Sequence, residues 1–135
     1  SGLYDAILIK DNHRAIAGGA AAAVTAARQA NGDAMPIQIE VDDIADLPRV
    51  LALGVEAVLL DNMTPQEVAE AVQVARSHPR GRGCWIEASG GITLETVRAY
   101  AEAGVDTISV GALTHSAPAV DIALDIALPG EAGRS

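Results

Sequence analysis

Short apolar runs, each too brief to be a helix, alternate along this chain with longer stretches of helical period, and no run passes to the next through a two-residue hairpin turn. The runs fall at residues 6–9, 37–41, 57–60, 84–86 and 107–110, which predicts five strands. Strands separated by helices run parallel and are joined by right-handed crossovers, so the expected class is α/β, a five-stranded parallel βα repeat. Among the intervening helices, "TPQE" at 64–67 is a complete start signal: Thr64 as N-cap, Pro65 at the first helical position and Glu67 at the capping-box position. That helix is expected to reach about residue 77. Others are expected over 18–30, ending at Asn31-Gly32, over 43–52, closing on Gly54, from Thr93 to before Gly104, and over 117–126.

The core of such a fold must be built from small aliphatics. Half of the 135 residues are hydrophobic, yet there is no Phe, one Trp and two Tyr. Ala, Val, Leu and Ile suit strands covered on both faces by helices, and the length suits a single domain over 1–135. A formal charge of -9 repels nucleic acid and anionic membranes, so neither is an expected partner, and any anionic ligand needs a local cluster of donors. The single cysteine, Cys84, permits no internal disulfide and reads as core filler in a reduced, cytoplasmic protein. No stretch has the roughly 18 apolar residues of a membrane span.

In barrels and open parallel sheets, chemistry gathers where strands run into the loops that follow them. Here those positions read Lys10-Asp11-Asn12-His13, Glu40-Val41-Asp42, Asp61-Asn62, Glu87-Ala88-Ser89-Gly90-Gly91 and Gly111-Ala112. Lys10 is the only lysine in the chain. Asp42 or Asp43 reads most simply as a helix N-cap, and Asp61-Asn62 as rim residues. Glu40 lies inside the apolar pattern "IQIEV", where a carboxylate needs a partner, either Lys10 or a metal. Gly90 and Gly91 permit close backbone approach to a ligand, Ser89 adds a hydroxyl, and a helix starting at Thr93 would favour an anion. With Gly111-Ala112 one unit later, this is the arrangement of a barrel phosphate site. His13 and His115, both just past strand ends, read as phosphate donors or rim residues, and His78, in the Gly/Pro/Arg loop at 77–83, as a surface residue.

Together, "LYDAILIKDNH", "IEVDD", "LLDNMTP", "IEASGGI" and "GVDTISVGALTHS" resemble, in order and spacing, the C-terminal half of the quinolinate phosphoribosyltransferase family, over about residues 2–125. The resemblance implies a partial, open TIM-like barrel. It also implies a reaction, in which the quinolinate nitrogen displaces pyrophosphate from C1 of phosphoribosyl pyrophosphate and the ring loses its 2-carboxylate, giving nicotinate mononucleotide. Mg²⁺ is the implied cofactor. By similarity Lys10 contacts the anionic substrates, Glu40 and Asp61 hold ribose hydroxyls and the metal, directly or through water, and Ser89, Gly90, Gly111 and His115 hold a phosphate. The family's upstream domain and first barrel strands, with the arginines that clamp quinolinate, have no counterpart here, and Arg14 is the one arginine beside a strand end. The expectation is a piece with little activity alone, which pairs with a copy of itself or is completed by another chain.

Three other readings make distinct expectations. A Schiff-base aldolase would need Lys10 in apolar surroundings. A phosphoacceptor receiver domain would use Asp61 as acceptor, but would need a lysine after its fifth strand. An inert α/β scaffold would need only that the polar groups satisfy one another.

Overall fold

The computed structural model describes residues 5–10, 15–111 and 123–127. Its elements, in order, are β1 (Ile7–Ile9), α1 (Ala15–Asn31), β2 (Ile37–Val41), a 3₁₀ turn (Ile44–Asp46), α2 (Leu47–Leu51), β3 (Ala57–Asp61), α3 (Pro65–Ser77), β4 (Trp85–Ser89), α4 (Val97–Glu102), β5 (Thr107–Gly111) and β6 (Ala123–Ala127). The strands lie in chain order in one sheet, β1 through β5 parallel, with β6 antiparallel to β5. The five predicted strands are therefore present, in the open, parallel arrangement expected of a partial barrel. The strand order also excludes the receiver alternative, whose doubly wound sheet places its second strand outside its first.

Two sequence expectations fail around this sheet. The helix predicted over 117–126 is not what the chain forms at 123–127: that stretch is β6, a sixth strand, and the remainder of the range lies outside the described residues. The apolar spacing there serves either period, and pairing with β5 over five register positions decides it. Nor is the sheet covered alike on both faces. Successive right-handed crossovers in one direction put every helix on the same side. Ile37, Ile39 and Val41 of β2, Val58 and Leu60 of β3, Ile86 and Ala88 of β4, and Ile108 and Val110 of β5 face that side and are buried with Val50, Leu51, Val68 and Ala71. Their alternates, Gln38, Glu40, Leu59, Asp61, Trp85, Glu87, Ser89 and Ser109, are half-buried on the other face. This inner face is mostly polar, as the inside of a barrel segment can be, whereas a doubly covered strand would be apolar throughout.

Local signals are met where the ends of an element carry them. The α3 capping box is complete: Thr64 Oγ1 accepts from Glu67 N at 3.1 Å and Glu67 Oε1 accepts from Thr64 N at 2.8 Å. The predicted helix over 43–52 is split, because Asp43 caps a 3₁₀ turn by accepting from Ala45 N at 3.0 Å, and Pro48 then opens α2. Tyr100 of α4 donates to Met63 O at 2.7 Å, fastening that helix to the exit of β3.

At the N-terminal end of the strands two arginines act as clamps. Arg28 donates to Met35 O and Gly54 O and pairs with Glu56 at 3.2 Å, and Glu56 in turn accepts from Ile37 N at 2.9 Å. Arg76 donates to the carbonyls of Gly81, Arg82 and Cys84 and pairs at 3.0 Å with buried Asp106, which also accepts from Ile86 N at 2.8 Å. Cys84 is buried beside this clamp, as expected of core filler, and burial pushes its thiol pKa up to about 12.

Candidate active site

The opposite, C-terminal end of the sheet collects the groups singled out in the sequence. Asp61 and Ser89 are register partners at the last positions of β3 and β4, and Ser89 Oγ donates to Asp61 Oδ1 at 3.1 Å. Asn62 N donates to Ser89 O at 3.0 Å, and its φ of 62° turns the chain sharply out of the strand. Gly90 has a φ of 93°, and a Cβ there would stand 2.6 Å from both Asn62 N and Asp61 Oδ1. Only glycine lets the β4 exit lie this tightly against the β3 exit.

On the other side of Asp61, the Ile9–Ile39 register puts Lys10, the next residue after β1, beside Glu40. The Glu40 carboxyl lies within hydrogen-bonding reach of Asp61. Partial burial, first, and then the Asp61 charge raise the Glu40 pKa above its ordinary value; Lys10 pulls it down without reversing the shift. Lys10, Glu40, Asp61 and Ser89 therefore share one rim. Lys10 is exposed among carboxylates, which is not the apolar pocket a Schiff-base lysine requires. Gly91 and Gly111 open toward solvent at the same edge, and a Cβ on either would meet nothing within 4 Å. His13, Ala112 and His115 lie outside the described residues.

The anion-binding helix start is a further correction. No helix begins at Thr93. Thr93 N is consumed by Thr96 Oγ1 at 3.0 Å, a turn intervenes, and α4 starts only at Val97 and runs six residues. At this exit the Gly90-Gly91 backbone remains for a phosphate, and the Ser89 hydroxyl would have to leave Asp61 to join it. Beside the rim, Asp42, Asp43, Ile44, Met63 and Glu67 line an open groove of about 560 Å³. Two of its acids are engaged as helix caps, Asp43 on Ala45 and Glu67 on Thr64, as the simple reading of this segment expects. His78, predicted to be a surface residue, is half-buried in the loop at the other end, where its Nδ1 accepts from Arg80 N at 3.0 Å.

One residue of the inner face was named in the sequence only as part of the fourth strand end, with no role of its own. Glu87 lies two positions before Ser89, and its carboxylate is held on both oxygens, by Gln38 Nε2 at 3.1 Å and by Ser109 Oγ at 2.5 Å. The signal was the period-2 alternation of "WIEAS", which places Trp85, Glu87 and Ser89 on one side of the strand.

A singly wound parallel sheet with helices outside, a polar inner face and charged and glycine-bearing exits at one end defines a segment of a TIM-like βα enzyme barrel. Residues 1–125 match the quinolinate phosphoribosyl transferase C-terminal domain, and the chain belongs to that family. It is 43% identical over 125 residues to the nicotinate-nucleotide pyrophosphorylase [carboxylating] of Mycobacterium leprae, covering 93% of this chain and 43% of that protein. The human protein of the same name is 36% identical over 120 residues, covering 89% of this chain and 40% of its own length. The solved structure of the nicotinate-nucleotide pyrophosphorylase from Francisella tularensis superposes with a TM-score of 0.69 at 37% identity, over 90% of this chain and 40% of that one. The chain thus spans less than half the length of these relatives.

Proposed function

We propose that this chain forms the C-terminal part of a phosphoribosyl-transferring catalytic barrel, one that joins quinolinate to phosphoribosyl pyrophosphate and releases pyrophosphate and CO₂ to give nicotinate mononucleotide. The observation that carries the reading is the meeting of Lys10, Glu40, Asp61 and the Ser89–Gly91 turn at one rim, in a chain of this family. In the transfer, the quinolinate nitrogen bonds to C1 of the ribose as the C1–O bond to pyrophosphate breaks, and the electron pair leaves with pyrophosphate. Positive charge grows on the sugar while dense negative charge departs, so the site must offer both signs within a short distance. Lys10 supplies the ammonium for the anionic substrates. Ser89, Gly90, Gly91 and Gly111 supply the phosphate cradle, and the family resemblance adds Ala112, His115 and His13 to it.

Glu40 and Asp61 are the residues that would hold Mg²⁺, directly or through water. Paired carboxylates are hard oxygen ligands of the kind Mg²⁺ takes together with substrate phosphates, and the crowding that raises Glu40 is what a dication relieves. When bound, the metal would neutralise the charge of the pyrophosphate.

The same reading makes the chain cytoplasmic and one part of an assembly, either a pair of copies or a chain completed by another. Its support is the edge of β1, which among the described residues pairs on one side only, the half-exposed polar inner face and the exposed Leu8 on that face. Calorimetry with phosphoribosyl pyrophosphate and Mg²⁺, and separately with quinolinate, tests the function. Binding of the first without the second is expected. A folded sample that binds neither would overturn the reading.

A further inference from the structure

Glu87 stands on the inner face in the same register row as Glu40, with Leu59 of β3 between them. Three features set it apart from an ordinary surface carboxylate. The first is how it is held. Gln38 is on β2, level with Ala57, and Glu87 is on β4, level with Leu59, so their hydrogen bond runs diagonally across β3. Ser109 holds the other oxygen from β5. Side chains of two other strands thus fix the carboxylate in one place.

The second is charge. Both donors are neutral, and among the described residues Glu87 forms no ion pair. The chain's one lysine is beside Glu40 instead. An ionised carboxylate has about four acceptor positions, of which these bonds use two. The third is position. Glu87 is two residues before Ser89 on the same side of β4, about 6.6 Å along the strand. That separation matches the span of a pentose 5-phosphate from its phosphorus to the far side of its ring.

We propose that Glu87 is a further catalytic residue of this site: the fixed anion that faces the sugar of a phosphoribosyl ligand whose phosphate rests on Ser89–Gly91, and that favours positive charge on its ring. The inference rests on the phosphoribosyl reading of the rim and adds to it a residue and a charge preference. Because Gln38 and Ser109 hold the carboxylate before any ligand arrives, its orientation costs little when charge develops.

The test compares ribose 5-phosphate with its cationic pyrrolidine analogue, iminoribitol 5-phosphate, by calorimetry on the full chain, on Glu87→Gln and on Ser89→Ala. The wild-type chain should bind the cation about tenfold more tightly than the neutral sugar, the scale of one partly screened charge pair. Glu87→Gln should lose most of that preference, keeping only what Glu40 and Asp61 supply. Ser89→Ala should weaken both and keep their ratio. Glu87→Asp covers the case in which the amide disturbs Gln38 and Ser109: it retains the charge and should retain a preference for the cation. A wild-type chain without preference, a Glu87→Gln variant that keeps it undiminished, or a Glu87→Asp variant that loses it would overturn the inference and leave the phosphoribosyl reading intact. Failure of the wild-type chain to bind either compound would overturn that reading and the inference with it.

Discussion

The two ends of the parallel strands are built on opposite rules. At the N-terminal end each prominent charge is matched: Arg28 meets Glu56 and two carbonyls, while Arg76 meets Asp106 and three carbonyls. At the C-terminal end two carboxylates crowd each other with a single exposed ammonium beside them. The difference separates stability from function along one set of strands, a division that parallel βα barrels share.

The contrast is put to its hardest trial by Asp106→Ala at the N-terminal end. This strands Arg76 and removes the acceptor of Ile86 N, and it should lower unfolding free energy by about 3–5 kcal/mol, read from urea titration. Gly90→Ala sharpens the picture from the other end, since it strains a backbone at φ 93° and presses a methyl against Asn62 and Asp61. A loss of about 1–3 kcal/mol is expected, and with it the register of Asp61 and Ser89, visible as altered exchange of the Asn62 amide that bonds Ser89. Thr64→Ala, near the C-terminal end but engaged only in capping, should cost about 1 kcal/mol. Phosphate affinity should not change with it.

The smallest effect has the opposite sign. A carboxyl whose pKa is raised by folding contributes stability below its unfolded value and loses that contribution as pH climbs through the raised one. Glu40→Gln should therefore leave the chain slightly more stable than wild type at pH 7, with the gain fading as pH falls toward the ordinary carboxyl value of 4.5. Urea midpoints across that range would show it. A wild type that is the more stable at pH 7 would mean that the C-terminal end is as well matched as the other.

What could be read from the sequence follows how locally each feature is determined. The α3 start was legible because Thr64, Pro65 and Glu67 settle it among themselves. The strand ends were legible because polar residues abruptly follow apolar runs, and Lys10, Glu40, Asp61 and Ser89 do meet. Strand order was not: the singly wound sheet depends on which strands pair at a distance, and periodicity is the same for either winding. The stretch at 123–127 was misread for the same reason, since β5 supplies the partner that makes it a strand. The helix expected at Thr93 failed on a competition too fine for motif reading, in which the Thr96 hydroxyl takes the Thr93 amide. Glu87 carries no role in the sequence because its partners, Gln38 and Ser109, come from distant strands that the motif "WIEAS" does not specify.

The antiparallel strand β6 gives the sheet a direction of growth. A further parallel strand cannot add beside β5 while β6 holds its hydrogen bonds, so that flank is already spoken for. On the opposite flank, three residues of β1 offer a ladder left open among the described residues, in the orientation of the other four parallel strands. A chain that extends the parallel part of this sheet while β6 stays in place docks next to β1, on the same flank as Lys10, and would arrive beside the rim's one ammonium.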